Sequence, residues 1–250
     1  MNNKLFPLSI IILTHRNDEI FFHSLKSAQW SNDVIIVDSS SQNNWNKLQR
    51  EFHFSIVKSG TIENFSSVRN EAMKKAKNDW IFFLDSDEVI GKELKKEIQE
   101  NLNLVRVNGL DVQRQDFFLQ QALHHGEVGN IKLLRLTRKK SGQWQGKVHE
   151  KFILKNQKVG HLKSPLYHYP HQSIHSFVAK VNDYTTIRAK ELNDQHIKFS
   201  SFEMILKPIA KFIWNYFFKF GFLDGWRGLI YASAMSLHSL TVRIKLYEKA

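Results

Sequence analysis

The stretch Asn78-Asp-Trp-Ile-Phe-Phe-Leu-Asp-Ser-Asp-Glu88 decides the fold. Trp80 to Leu84 is an unbroken apolar run rich in strand formers, the composition of a strand buried in a parallel sheet. It stops at Asp85, Asp87 and Glu88. Open α/β sheets bind ligands at the carboxyl ends of their strands. Carboxylates one residue apart at such an end are hard oxygen donors suited to Mg2+ or Mn2+. A cation there holds a nucleotide diphosphate and stabilises it as a leaving group. The plainer alternative is a strand running into an acidic surface turn.

Upstream, the same alternation repeats. Leu8–Leu13 reads as a strand ending at Thr14-His15-Arg16-Asn17, and Val34–Val37 as a strand ending at Asp38. Helical periodicity covers Asp18–Gln29, Trp45–Phe52, Phe65–Ala76 and Lys92–Leu102, and Phe54–Val57 is a short third strand. Strands alternating with helices imply an α/β fold with a mostly parallel central sheet. Three strand ends then carry polar side chains, Thr14 with Asn17, Asp38, and Asp85 with Asp87, as a nucleotide pocket requires.

From Gly109 the pattern changes. Asp111–Leu119 and Ile131–Leu136 alternate as antiparallel strands do. Ser141–Glu150, with two glycines and Trp144, reads as a loop before a strand. Ser164–His171 holds two of the four prolines and reads as a boundary. The expected division is a catalytic domain over 1–165 and a helical C-terminal region over 172–250. The latter comprises Ile174–Leu192, Ser201–Phe220 and Trp226–Tyr247.

The chain has 36 Lys+Arg against 24 Asp+Glu, a net charge of +12, which favours anionic partners. Lys132–Lys163 holds ten of the basic residues and one acid, Glu150. There is no cysteine, which excludes disulfides and thiolate metal sites. No signal-peptide pattern is expected at the N-terminus. His168, His171 and His175 have metal-like spacing, but Pro170 among them and the absence of cysteine argue against zinc. The helices after Ser201 mix Phe, Trp and Ile with Lys207, Lys211 and Lys219. No stretch reaches the apolar length of a membrane span. The mixture suits a helix lying in a membrane interface, or a helical hairpin packed on the catalytic domain.

The chain resembles the family 2 glycosyltransferases, and is especially similar to their bacterial lipopolysaccharide-core branch. The resemblance rests on Ser9–Asn17, Val34–Ser40, Val68-Arg69-Asn70, Trp80–Glu88, Trp144–Glu150 and the specific string Gly221-Phe-Leu-Asp-Gly-Trp-Arg-Gly228. It implies a GT-A nucleotide-binding domain. It further implies donor contacts from Thr14, Asn17, Asp38, Arg69, Asn70 and Asp85, and a divalent metal (Mg2+ or Mn2+) at Asp85 and Asp87. The reaction implied is inverting transfer of a hexose, first of all glucose from UDP-glucose, to a lipid-linked saccharide such as lipopolysaccharide core. The implied location is cytoplasmic, peripheral on the bacterial inner membrane, with no nucleic-acid partner.

An acceptor hydroxyl needs a general base, and Glu150 is the candidate. His149 is a candidate for binding the diphosphate, orienting the site or binding metal, or else is a core histidine. Trp144 either stacks on a sugar or packs in the core. Arg69 serves the donor or a helix-surface ion pair. Glu88 supports the metal site or is a helix-start charge. Relatives usually carry a His-Gly-Gly-Trp-Tyr-Pro-Asp-like run where this chain has His124-His-Gly-Glu-Val-Gly-Asn130. Asn130 cannot act as a carboxylate base, which makes Glu127 the rival to Glu150. Two other readings compete. A nucleotidyltransferase would want a glycine-rich loop after the first strand, which Thr14–Asp18 lacks. A non-enzymatic basic protein would bind membrane or nucleic acid, but no nucleic-acid motif is present.

Overall fold

The computed structural model describes residues 5–40, 43–60, 64–102, 106–146, 150–155, 158–171 and 173–248. In chain order the first elements are β1 (Phe6–Thr14), α1 (Glu19–Ala28), β2 (Ser31–Asp38), α2 (Leu48–Glu51), β3 (Ser55–Lys58), α3 (Phe65–Lys75) and β4 (Trp80–Asp85). They are followed by β5 (Glu88–Ile90), α4 (Lys92–Asn101), β6 (Gly109–Phe118), β7 (Gln121–Ala122), β8 (Ile131–Arg138), β9 (Gly142–Gln145), β10 (Lys151–Leu154) and β11 (Val159–His171). The helices α5 (Ile174–Asp194), α6 (Ser201–Ile213) and α7 (Gly225–Tyr247) complete the chain.

The main sheet has the order β3-β2-β1-β4-β8-β6-β11-β5, with β7 on β6. Its first four strands are parallel, and β4 to β8 is antiparallel. The expected α/β fold is therefore present. The antiparallel strands continue the same sheet rather than forming a separate one. β9 and β10 pair only with each other, Trp144 opposite Phe152.

The chain divides into two compact units, 1–114 with 132–168, and 115–131 with 169–250. In the first, one core layer contains Leu8, Ile10, Ile12, Phe21, Phe82 and Leu84. The other contains Ile11, Ile35, Val37, Ile81, Phe83, Trp144 and Phe152. Odd and even residues of β1 and β4 thus enter opposite layers, which is why those strands read as unbroken apolar runs. Asp18 caps α1 by accepting from the Phe21 N–H, and Asn64 caps α3 by accepting from Ser67 N–H.

Several local expectations differ. Helix 45–52 shrinks to Leu48–Glu51, because Trp45 turns inward, 4% exposed, to reach Asp38. Gly142–Gln145 is a strand rather than a loop. Ser164–His171 is the extended end of β11. Its prolines, Pro165 and Pro170, bracket the residues Leu166, Tyr167 and His168 that pair with β5, so neither is asked for an N–H there.

In the second unit, Phe118, Leu123, Val128 and Phe177 form the core with Tyr231 and Met235 packed against it. α6 ends in a π-helical turn, Trp214–Phe218, and Phe220 takes a left-handed conformation, φ 56°, before Gly221. Gly228 is required by close approach: a Cβ there would lie 1.9 Å from the Gly221 carbonyl oxygen. Gly228→Ala should destabilise this unit by about 1–3 kcal/mol, the usual cost of forcing atoms into a filled space. Thermal denaturation checks this; an unchanged midpoint would refute it.

Candidate active site

Parallel pairing places Thr14 opposite Asp38 and Leu13 opposite Asp85, so the three polar strand ends emerge on one edge of the sheet. Each side chain there has a definite set of partners. Thr14 Oγ1 donates to the Arg16 carbonyl (2.7 Å) and accepts from the Arg16 N–H (3.1 Å), fixing the loop after β1. Asn17 lines a cleft of about 450 Å³ with Asp18, Phe22, Asn44 and Lys47.

Asp38 is fully buried and accepts from the Ser40 N–H, Asn43 Nδ2, Trp45 Nε1 and Lys58 Nζ. Burial raises its pKa, but these hydrogen bonds outweigh that and hold the carboxyl below its ordinary value. A base or ribose reaching Asp38 must replace one of these donors, and Lys58, 57% exposed, is the accessible partner.

The centre of the site is a chain of alternating charges. Glu88 meets Arg135, Arg135 Nη2 reaches Asp85 at 2.5 Å, Arg69 Nη2 lies 2.9 Å from the other Asp85 oxygen, and Arg69 Nε lies 3.0 Å from Glu150. Arg69 and Arg135 are each 7% exposed and Glu88 1%. Arg69 also lies over the Trp144 ring, 4.8 Å from its centroid. Burial raises the Asp85 pKa, but Arg135 and Arg69 prevail and hold it well below the usual carboxylate range. For Glu88, burial dominates the nearby Arg135 charge and pushes the carboxyl up.

Arg135→Met should therefore cost about 3–5 kcal/mol at neutral pH, because it strands buried carboxylates. The sign follows from Glu88. A carboxyl whose folded pKa is raised penalises folding as pH rises from its unfolded toward its folded pKa. The variant's deficit should shrink on acidification as Glu88 takes up a proton. Urea titrations at pH 5 and pH 8 test this, and an equal deficit at both would refute the Glu88 account.

Asp87 lies 3.5 Å from His168 Nε2 and 3.7 Å from Arg16 Nη2. Both Asp85 oxygens already meet guanidinium groups. Among the described residues no group of three His, Cys, Asp or Glu could hold a metal. A Mg2+ or Mn2+ site needs only one or two protein carboxylates when substrate phosphates supply further oxygens. Asp87, with Asp85 and His168 beside it, fits that description.

The remaining candidates fall in different places. Asn70 Nδ2 donates to the Trp144 carbonyl and its Oδ1 accepts from the Trp144 N–H, so its amide ties α3 to β9. The Trp144 ring is buried against Phe83 and Phe152, which is the core alternative rather than a free sugar platform. Glu127 belongs to the second unit, where Lys211 Nζ (2.7 Å) and Asn215 Nδ2 (3.3 Å) reach its carboxylate. His149 lies outside the described residues. Sequence reasoning missed the parts of Arg135, Arg16 and His168. The available signal was Arg135, a lone charge between leucines in an apolar strand.

The profile of the family described as Glycosyl transferase family 2 matches residues 9–152, more than half of the chain. The protein belongs to that family and is a glycosyltransferase. The nucleotidyltransferase and non-enzymatic readings give way to it. Among its relatives, an uncharacterised glycosyltransferase, RT0209 of Rickettsia typhi, is 23% identical over 241 residues, covering 89% of this chain and 80% of that protein. The lipopolysaccharide core biosynthesis glycosyltransferase LpsC of Rhizobium meliloti is 22% identical over 255 residues, covering 97% of this chain and 93% of that protein. A structure of S. aureus TarS with UDP-GlcNAc superposes with a TM-score of 0.49 at 14% identity, covering 94% of this chain and 82% of that one.

Proposed function

We propose that the protein transfers a hexose, glucose in the first instance, from a UDP-sugar to a lipid-linked saccharide of the lipopolysaccharide-core type, with inversion. The observation that carries this reading is Arg69, which joins the strand-end carboxylate Asp85 to Glu150. One carboxylate stands where a nucleotide diphosphate is expected, and the other is a base held beside it. The relation to LpsC supports the acceptor class.

In this mechanism Glu150 takes the proton of the acceptor hydroxyl. The hydroxyl oxygen attacks the anomeric carbon as the bond from that carbon to the β-phosphate oxygen breaks. The electron pair leaves with the nucleoside diphosphate. Arg69 Nε fixes one Glu150 oxygen, so the other is the proton acceptor. Thr14, Asn17 and Asp38 hold the nucleotide end, and Arg69, Asn70 and Asp85 line the diphosphate side. Asp87 and Asp85 would hold a divalent cation, which supplies positive charge against the departing diphosphate. Incubating the protein with a panel of nucleotide sugars, Mn2+ and delipidated core saccharide, and following nucleotide release, tests the reading. Release with no sugar donor would refute it.

We further propose peripheral attachment to the cytoplasmic face of a bacterial inner membrane through the second unit. Among the described residues no helix is long and apolar enough to cross a membrane. Yet Phe202 is 73% exposed and Phe218 65%, with Trp214, Phe217 and Trp226 also exposed. Lys207 and Lys211 accompany them but are paired with Glu203 and Glu127, while Arg227 bonds Gln121. The aromatic contribution therefore outweighs the electrostatic one, in which each basic residue adds about 1 kcal/mol at an anionic surface. Flotation with anionic liposomes should weaken with salt but persist in part. A protein that ignores anionic and neutral liposomes at low salt would refute the attachment.

A further inference from the structure

The string Gly221–Gly228 takes no part in the donor chemistry, yet it builds a definite polar device within the second unit. Asp224, 5% exposed, accepts from the backbone N–H of His124 (3.1 Å) and of His125 (2.9 Å), and its Oδ1 lies 3.0 Å from His125 Nδ1. A carboxylate only accepts, so the proton of this last bond sits on Nδ1. In the neutral ring that leaves Nε2 as a bare acceptor. The ring is one-third exposed, at 34%. The turn that carries Asp224 is held rigidly by the contact of Gly228 with the Gly221 carbonyl.

The same short loop also carries Glu127, bridged to Lys211 and Asn215. The cavity beneath the loop is about 10 Å³, lined by His125, Glu127, Asn215, Asp224 and Tyr231. That is room for about one water, not for a sugar, so a ligand would meet the exposed edge of the imidazole. A fixed, neutral, acceptor-only nitrogen beside a carboxylate and an ammonium is matched to a hydroxyl-rich ligand. It offers no stacked cations for a phosphate.

We infer that His125, oriented by Asp224, binds a hydroxyl of the acceptor saccharide through Nε2, Asp224 being a positioning residue. This inference rests on the transferase reading above. His125 is not the base in this scheme; it receives a hydrogen bond and sets where the saccharide lies. The loop expected to differ from relatives by its missing Trp-Tyr-Pro-Asp run would then recognise its acceptor through the imidazole.

Two substitutions separate recognition from folding. His125→Asn keeps an N–H near the Nδ1 position for Asp224 but deletes Nε2. His125→Gln extends an amide toward the place of Nε2. His125→Asn should raise the KM for delipidated lipopolysaccharide-core saccharide about tenfold, the size expected for one lost hydrogen bond. His125→Gln should recover part of the loss, and UDP titration should show that donor affinity is not what moved. Independently of turnover, ¹⁵N-histidine NMR of the wild-type protein should show Nδ1 protonated and Nε2 bare, with Nε2 shifting as the same saccharide is added. An Nε2-protonated neutral ring, an unmoved Nε2, or a wild-type KM in His125→Asn would overturn the inference. Should the wild-type protein use no nucleotide sugar, the transferase reading fails, and the NMR titration still decides whether His125 binds saccharide.

Discussion

Asp87→Ala should abolish measurable transfer and Mg2+- or Mn2+-dependent UDP binding while the protein stays folded. Charge neutralisation of a departing diphosphate by a bound cation is worth several kcal/mol, so its loss lowers turnover by roughly 10²–10³-fold or more. Asp85 cannot substitute, because both its oxygens meet guanidinium groups, Arg69 at 2.9 Å and Arg135 at 2.5 Å. The Arg16 and His168 contacts of Asp87 are longer, at 3.7 and 3.5 Å, and losing such a pair costs about 1 kcal/mol or less. Titration calorimetry of UDP with and without Mn2+, paired with a melting curve, makes the measurement. Turnover near wild type would rule out the metal assignment, and a collapsed melting curve would make Asp87 a structural residue.

Glu150→Gln should lower kcat by about 10²–10⁴-fold, the usual contribution of a general base, with donor affinity little changed. The amide keeps the size of the side chain and an oxygen for Arg69 Nε, which lies 3.0 Å from the native carboxylate. What it loses is the capacity to take a proton. A collapse of UDP binding would instead make Glu150 a binding or structural residue. Glu127→Gln is the companion measurement. It leaves Lys211 without its carboxylate but should spare kcat, and a large loss there would move the base from Glu150 to Glu127.

Much of this was legible in the residue order. β1, β2 and β4 announce themselves as unbroken apolar runs because both faces of those strands are buried, and their polar termini follow directly. The helices over 19–28, 65–75 and 92–101 carry the apolar periodicity and, in the first two, the capping residues that define them. The short β5 was not legible: Glu88-Val-Ile90 is too brief to carry a pattern and forms only because β11 supplies a pairing edge. Trp45 misled for a similar reason. Its place in a helical pattern could not reveal that Asp38 would draw its indole inward.

The sequence by itself determined the alternation of strands and helices, the acidic end of β4, the basic balance of the chain and the family-bearing strings. These depend on local pattern and composition, which neighbours along the chain express. Only the tertiary structure decided who meets whom. Arg69 and Glu150 are 81 residues apart, Arg135 and Glu88 47, and Asp224 and His125 99. No local rule pairs such residues. Their charges are brought together because burying the apolar strands fixes the backbone, and a buried charge must then find a partner.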